Sequence, residues 1–128
     1  MKLLLDAHTF LWFIGDDPTL SSRARDLIEE PETQRLASVA SFWEIAIKAS
    51  LGKLQVPEPL EEFVQRQLQI NDIDLLTITI AHIGEVGKLP FHHRDPFDRL
   101  LISQSLIEQI PIVSVDPRFD DYGIQRLW

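Results

Sequence analysis

Residues 95–116 read DPFDRLLISQSLIEQIPIVSVD, and the two halves of this stretch follow different patterns. Leu100, Leu101, Leu106 and Ile107 recur at helical spacing, which predicts a helix over Asp95–Gln109. Asp95 occupies its N-cap position and Pro96 its first helical position, where a missing N–H costs nothing. Ile110–Val115 (IPIVSV) is then a short apolar run stopped by Asp116 and Pro117, which predicts a strand. A helix leading directly into a buried apolar strand is the building unit of a parallel α/β sheet.

Upstream, the same alternation repeats. Lys2–Leu5 (KLLL) reads as a buried strand stopped by Asp6. An apolar, aromatic stretch follows at His8–Ile14, then the polar turn Gly15–Pro18. Leu20–Glu30 is an amphipathic helix carrying Ala24, Leu27 and Ile28 on one face, with Pro31 ending it. Leu36–Ala40 reads as a second strand, and Ser41 opens a helix with Phe42, Ile45, Ala46 and Ala49 on one side and Gly52 as its stop. A helix over Leu60–Leu68, a brief strand at Asp74–Thr79, a short helix at Ile80–Leu89 and an edge strand at Ile124–Leu127 complete the pattern. The expected architecture is one α/β domain over residues 1–128, a three-layer α/β/α arrangement around a mostly parallel sheet of four to five strands.

Composition narrows the function classes. With 12 Lys+Arg against 20 Asp+Glu, the net charge of -8 argues against a dedicated nucleic-acid scaffold, which neutralises phosphates with a basic face. A catalytic domain working on a polyanion through metal ions and a few arginines stays compatible with it. There is no cysteine, so neither disulfides nor thiolate metal sites arise. No apolar run reaches the ~20 residues of a membrane span, and the N-terminal stretch lacks the form of a signal peptide. The expected location is the cytoplasm.

In parallel α/β sheets, ligands bind beyond the carboxyl ends of the strands. Four acids fall there: Asp6 after the first strand, Asp116 after the fourth, and Glu44 and Asp98 in the first turns of two helices. Each has a structural explanation. Ser41 and Glu44 form the signature of a capping box, and Asp98 lies three residues after the capping Asp95. Acids in a first turn also complement the helix dipole by ~0.3–1 kcal/mol each, while Asp6 and Asp116 are ordinary strand-ending residues. Taken together they point elsewhere, because several carboxylates in one crevice resist ionising unless a divalent cation relieves their repulsion. An all-oxygen set suits Mg²⁺ or Mn²⁺, which can activate water and stabilise charge on a phosphoryl group.

Neighbouring residues carry double readings. His92 and His93 read first as loop or surface histidines and second as nucleic-acid contacts. Arg94, Arg99 and Arg118 either pair with the nearby acids or hold a nucleic-acid backbone. Lys48 sits one turn after Glu44, a favourable i,i+4 pair. Trp12, Phe13, Phe42 and Trp43 read as core or interface residues ahead of base-stacking ones.

Four segments, LLDAHTFLW, SFWEIAIKASLGKL, LPFHHRDPFDRLLISQS and IVSVDPRFDDYGI, together resemble the PIN domains, specifically the VapC-type toxins of bacterial toxin–antitoxin pairs, and span nearly the whole chain in family order. The resemblance implies a metal-dependent ribonuclease with Asp6, Glu44, Asp98 and Asp116 as its acidic catalytic and metal-binding set. Mg²⁺ or Mn²⁺ would be the cofactor, with Glu44 acting directly or through water. It further implies an RNA substrate, a cognate antitoxin partner and a homodimer. Asp95 is then a cap beside the site. Ala7 stands where many relatives carry Thr or Ser, Ser114 where threonine is usual, and Arg118 where many have another acid. The competing expectation is a non-catalytic PIN-like or other Mg²⁺-binding signalling module. A phosphoacceptor receiver fits poorly, since Asp6 is not paired with a second acid and no lysine follows IPIVSV.

Overall fold

A computed structural model describes all 128 residues. Five strands form one sheet: β1 (Lys2–Leu5), β2 (Gln34–Ser38), β3 (Ile73–Leu76), β4 (Ile112–Val113) and β5 (Arg126–Leu127). Their spatial order is β3-β2-β1-β4-β5, and every neighbouring pair is parallel. Around them lie α1 (Ala7–Ile14), α2 (Ser22–Glu29), α3 (Val39–Ser50), α4 (Leu60–Ile70), α5 (Ile80–Val86) and α6 (Pro96–Glu108), with a short 3-10 helix at Pro117–Tyr122.

The period-2 geometry of the strands splits the core in two. Leu3, Leu5, Ala37 and Val113 face one side, packing with Phe10, Ala24, Ile28 and Ile45 from α1, α2 and α3. Leu4, Leu36 and Ile112 face the other, against Leu101 and Ile102 of α6 and Phe119 of the 3-10 helix. Burial on both faces is why KLLL reads as a continuous apolar run instead of an alternating one. The expected three-layer α/β/α architecture is therefore what forms, with a sheet that is wholly parallel. No helix is long and apolar enough to cross a membrane.

Several boundaries differ from expectation, and two of them bear on the site; the last strand is only Arg126–Leu127 and the helix after β3 ends at Val86. The second strand runs Gln34–Ser38, so the following helix starts at Val39 and is capped by Ser38, whose hydroxyl accepts from the Ala40 amide at 3.0 Å. Ser41 is thus a buried residue inside α3, and the capping box expected of Ser41 and Glu44 does not form. The fourth strand is only Ile112–Val113: Pro111 has no N–H to give, and the Ile110 amide is spent on the Ser105 carbonyl at the end of α6. The third strand lies slightly earlier than expected, at Ile73–Leu76.

Strands β2 and β3 extend the sheet to one side of β1, and β4 and β5 to the other. The carboxyl ends of β1 and β4 therefore flank the point where the winding order reverses, the place where such sheets leave a crevice.

Candidate active site

Each acid reaches that crevice from a different element. Asp6 follows β1 directly and is the N-cap of α1, accepting the Thr9 amide at 2.8 Å. Glu44 lies in the second turn of α3 and is buried, with Lys48 Nζ 2.8 Å from its Oε2. Asp98 lies in the first turn of α6, where Asp95 Oδ1 accepts the amides of Phe97 at 2.9 Å and Asp98 at 3.0 Å. Asp116 caps the 3-10 helix, its Oδ1 accepting the Arg118 amide at 2.9 Å. All four line one crevice of ≈ 180 Å³, together with Asp95, Lys48 and Arg118. For Glu44 the correction at Ser41 matters, because two turns into the helix neither capping nor the dipole accounts for an acid.

Electrostatics register the crowding. Burial, and then the charges of Asp95, Asp6, Glu44 and Asp116, push the Asp98 carboxyl up to about 8. Burial also raises Asp6, against hydrogen bonds from Ser114 and Thr9 that pull it down. Burial pushes Asp116 upward as well, but there Arg118 wins and holds the carboxyl below the usual carboxylate range. The Arg118 guanidinium grips both oxygens, with Nη2 2.9 Å from Oδ2 and Nε 3.1 Å from Oδ1. Arg118 thus fills the pairing role and remains exposed at the rim.

Two residues depart from their expected roles, His93 as a loop or surface histidine and Arg99 as a partner of the acids or of RNA. His93 is 2% exposed, with its Nε2 2.9 Å from Asp98 Oδ2 and 3.4 Å from Asp116 Oδ2. The ligand atoms of His93, Asp98 and Asp116 all lie within 4.8 Å of one another, a tighter group than the four acids as a whole. Arg99 is also buried, and its guanidinium donates to the carbonyls of Val86, Leu89, Pro90 and His93. It has no face to offer a phosphate, since it ties the loop before α6 to the helix. His92 and Arg94 are exposed, His92 lying against Tyr122 with ring centroids 5.3 Å apart. Nothing periodic marks His93 in the sequence. The usable signal is its place two residues before a capping aspartate, where a ring nitrogen can meet the cap's own amide.

At the rim, Trp43 and Phe97, the neighbours of Glu44 and Asp98, stack edge-to-face with centroids 5.0 Å apart. Trp43 is 58% exposed, whereas Phe42 packs on Phe10 and Trp12 on Trp128 in the α1 layer.

The family profile described as PIN domain matches residues 3–125. Ribonuclease VapC16 of Mycobacterium tuberculosis (strain ATCC 25618 / H37Rv) is 34% identical over 61 residues, 48% of this chain and 43% of that protein, so the likeness spans less than half of either. Among solved structures, VapBC2 from Rickettsia felis bound to a DNA fragment from their promoter superposes with a TM-score of 0.72 at 13% identity, covering 99% of this chain and 98% of that one. VapBC-1 from nontypeable Haemophilus influenzae gives 0.69 at 13% identity over 99% and 97%. FitAcB from Neisseria gonorrhoeae gives 0.65 at 10% identity over 98% and 96%. At these identities the structural likenesses establish the fold.

Proposed function

The chain belongs to the PIN-domain family, and from that premise we propose that it is a metal-dependent ribonuclease, the toxin of a toxin–antitoxin pair held inactive by a cognate antitoxin. The observation that carries this reading is the meeting of Asp6, Glu44, Asp98 and Asp116 in one crevice at the switch point of the sheet. The likeness to the ribonuclease VapC16 and to VapBC structures supports the same class.

The donor set fits a hard divalent cation. Its protein oxygens are carboxylates; burial and then their mutual repulsion push Asp98 up to about 8, and Mg²⁺ or Mn²⁺ would offset the repulsion. Asp6, Asp98 and Asp116 would hold the ion, directly or through water. Bound there, it would supply charge stabilisation at phosphorus and a water more easily deprotonated. Glu44 would orient the attacking water and take its proton. Attack in line with the leaving O3′ breaks the P–O3′ bond, giving a 5′-phosphate and a 3′-hydroxyl. The exposed Arg94, Arg118 and His92 would meet the RNA backbone around the crevice. A homodimer is part of this reading, and the exposed apolar residues Trp43, Ile47 and Leu51 along α3 are surface suited to such a contact.

The test is cleavage of total cellular RNA by the purified chain with Mg²⁺ or Mn²⁺ against EDTA, beside Asp98→Asn, with cut sites mapped by sequencing. Metal-dependent cuts absent from the variant are the expected outcome. A folded protein that binds Mn²⁺ and cuts no RNA would instead favour a binding-only PIN domain.

A further inference from the structure

His93 has every polar atom but one accounted for. Its backbone N–H donates to the Tyr122 hydroxyl at 2.7 Å, and that hydroxyl donates to the Pro90 carbonyl at 2.8 Å. Its carbonyl accepts from Arg99 Nη1 at 3.2 Å. Its ring lies against Phe119, and its Nδ1 accepts the Asp95 amide at 3.2 Å. The remaining atom, Nε2, is buried and close to two carboxylates, yet aligned with neither as a hydrogen bond.

The amide of Asp95 decides what that atom is. An amide can only donate, so Nδ1 must present its lone pair, and the ring proton belongs on Nε2. An Nε2 carrying a proton has no lone pair for a metal, despite its place among potential ligands. What it offers the crevice is one N–H, on an atom 2.9 Å from Asp98 Oδ2 and 3.4 Å from Asp116 Oδ2. The backbone bonds and the Phe119 contact leave the ring little freedom to turn away.

We propose that His93 is a positioning residue of the acidic site: held in the Nε2–H tautomer by the amide of Asp95, it points a fixed donor between Asp98 and Asp116 and sets how those two carboxylates face a bound cation. This rests on the reading of the four acids as a metal site. Partners of this kind around metal-binding carboxylates change affinity by roughly 10–100-fold when removed. Its chain position gives His93 a second function, since the same ring that orients the acids also accepts the amide of the α6 cap. Cap and site are thereby joined through one side chain.

Two variants separate the ring's two ends. His93→Asn keeps an acceptor near the Nδ1 position for the Asp95 amide and removes the donor. His93→Gln places an amide N–H near the Nε2 position. Mn²⁺ alone is titrated into each full-length protein by calorimetry, with thermal melting alongside. His93→Asn is expected to melt close to wild type and to weaken Mn²⁺ by roughly tenfold or more, and His93→Gln to recover most of that loss. Wild-type Mn²⁺ affinity in folded His93→Asn overturns the proposal. So does equal loss in both folded variants, which would make the imidazole itself a ligand. Should either variant fail to fold, the ring ¹⁵N shifts of His93 in the wild-type protein still decide: an unprotonated Nδ1 is expected, and a protonated Nδ1 overturns the assignment. These readouts need no RNA. Absence of cleavage by a wild-type protein that binds Mn²⁺ would count against the ribonuclease reading alone, while a wild type that binds no Mn²⁺ would overturn the assignment of His93.

Discussion

Asp95 both anchors Asp98 and opposes its charge. Its Oδ1 accepts the Asp98 amide at 3.0 Å, fixing the first turn of α6, while its negative charge is, after burial, the largest influence raising the Asp98 carboxyl. The two effects separate by mutation. Asp95→Asn keeps a capping oxygen, so stability should change little, and the Asp98 carboxyl should titrate below its wild-type value of about 8. Asp95→Ala loses the cap and should cost about 1 kcal/mol. Thermal melts and carboxyl ¹³C titration distinguish the pair. A large activity loss in a well-folded Asp95→Asn would place Asp95 among the reacting groups.

Asp98→Asn should abolish RNA cleavage without lowering Tm. Asparagine resembles the protonated carboxyl that the metal-free site already favours at neutral pH. At pH 8.5 and above the variant should melt higher than wild type, because it carries no charge to repel its neighbours. Normal cleavage by the folded variant would remove Asp98 from the reaction.

The raised carboxyl also predicts a pH dependence. Between the ordinary 3.8 and about 8, the folded metal-free chain holds a proton on Asp98 that the unfolded chain has lost. Unfolding then releases a proton, so this group makes stability fall as pH rises through that window and level off above it. In EDTA, wild-type Tm minus Asp98→Asn Tm should therefore decline from pH 5 to pH 8. Adding Mn²⁺ should raise Tm more at pH 8 than at pH 6, since the ion competes with the proton. A flat difference across the range would mean that Asp98 is not perturbed.

Arg99 and Arg94 should fail in different ways. Arg99→Met strands the carbonyls of Val86, Leu89, Pro90 and His93 and should destabilise by about 3 kcal/mol or more. Arg94→Ala, at an exposed position, should leave the unfolding free energy within about 0.5 kcal/mol of wild type, and any effect should appear as weaker RNA binding. Denaturant unfolding of both variants checks the contrast.

Arg118→Gln should tighten Mn²⁺ binding by freeing the Asp116 oxygens and removing a nearby positive charge. In cleavage assays it should raise KM for RNA, because an exposed cation at the rim is gone. Opposite movements of metal affinity and RNA affinity would be the signature. Unchanged metal affinity would mean that the grip on Asp116 is already released in solution.

Much of this organisation is visible in the amino-acid order because burial and capping leave strong local marks. KLLL is apolar on both faces, so β1 is central, and DPFDRLL announces the start of α6 almost to the residue. The misplaced start of α3 has a specific cause. Ser38 and Ser41 are both serviceable caps, and the choice belongs to the pairing of β2, whose Ser38 is still opposite Leu76 in β3. Strand β4 is short for a local reason, since Pro111 lacks an N–H and the Ile110 amide closes the end of α6. The burial of His93 and Arg99 depends on Tyr122, Phe119 and loop carbonyls distant in the chain, and no local pattern encodes those contacts. The acids were legible because position relative to strand ends is a topological property, and topology was what the alternation of helices and strands revealed.

The placement of β1 beside β4 has a consequence for the birth of the molecule. Asp6 and Glu44 belong to the first half of the chain, Asp98 and Asp116 to the second, and where β1 meets β4 the Thr9 hydroxyl donates to the Val113 carbonyl across 104 positions. A chain still emerging from the ribosome can build β3-β2-β1 with two acids in place and two not yet made. All four coexist only once Asp116 is out and β4 has docked. On the proposed function, the four-acid site is thus incomplete through most of synthesis by topology alone, before any partner would need to restrain it.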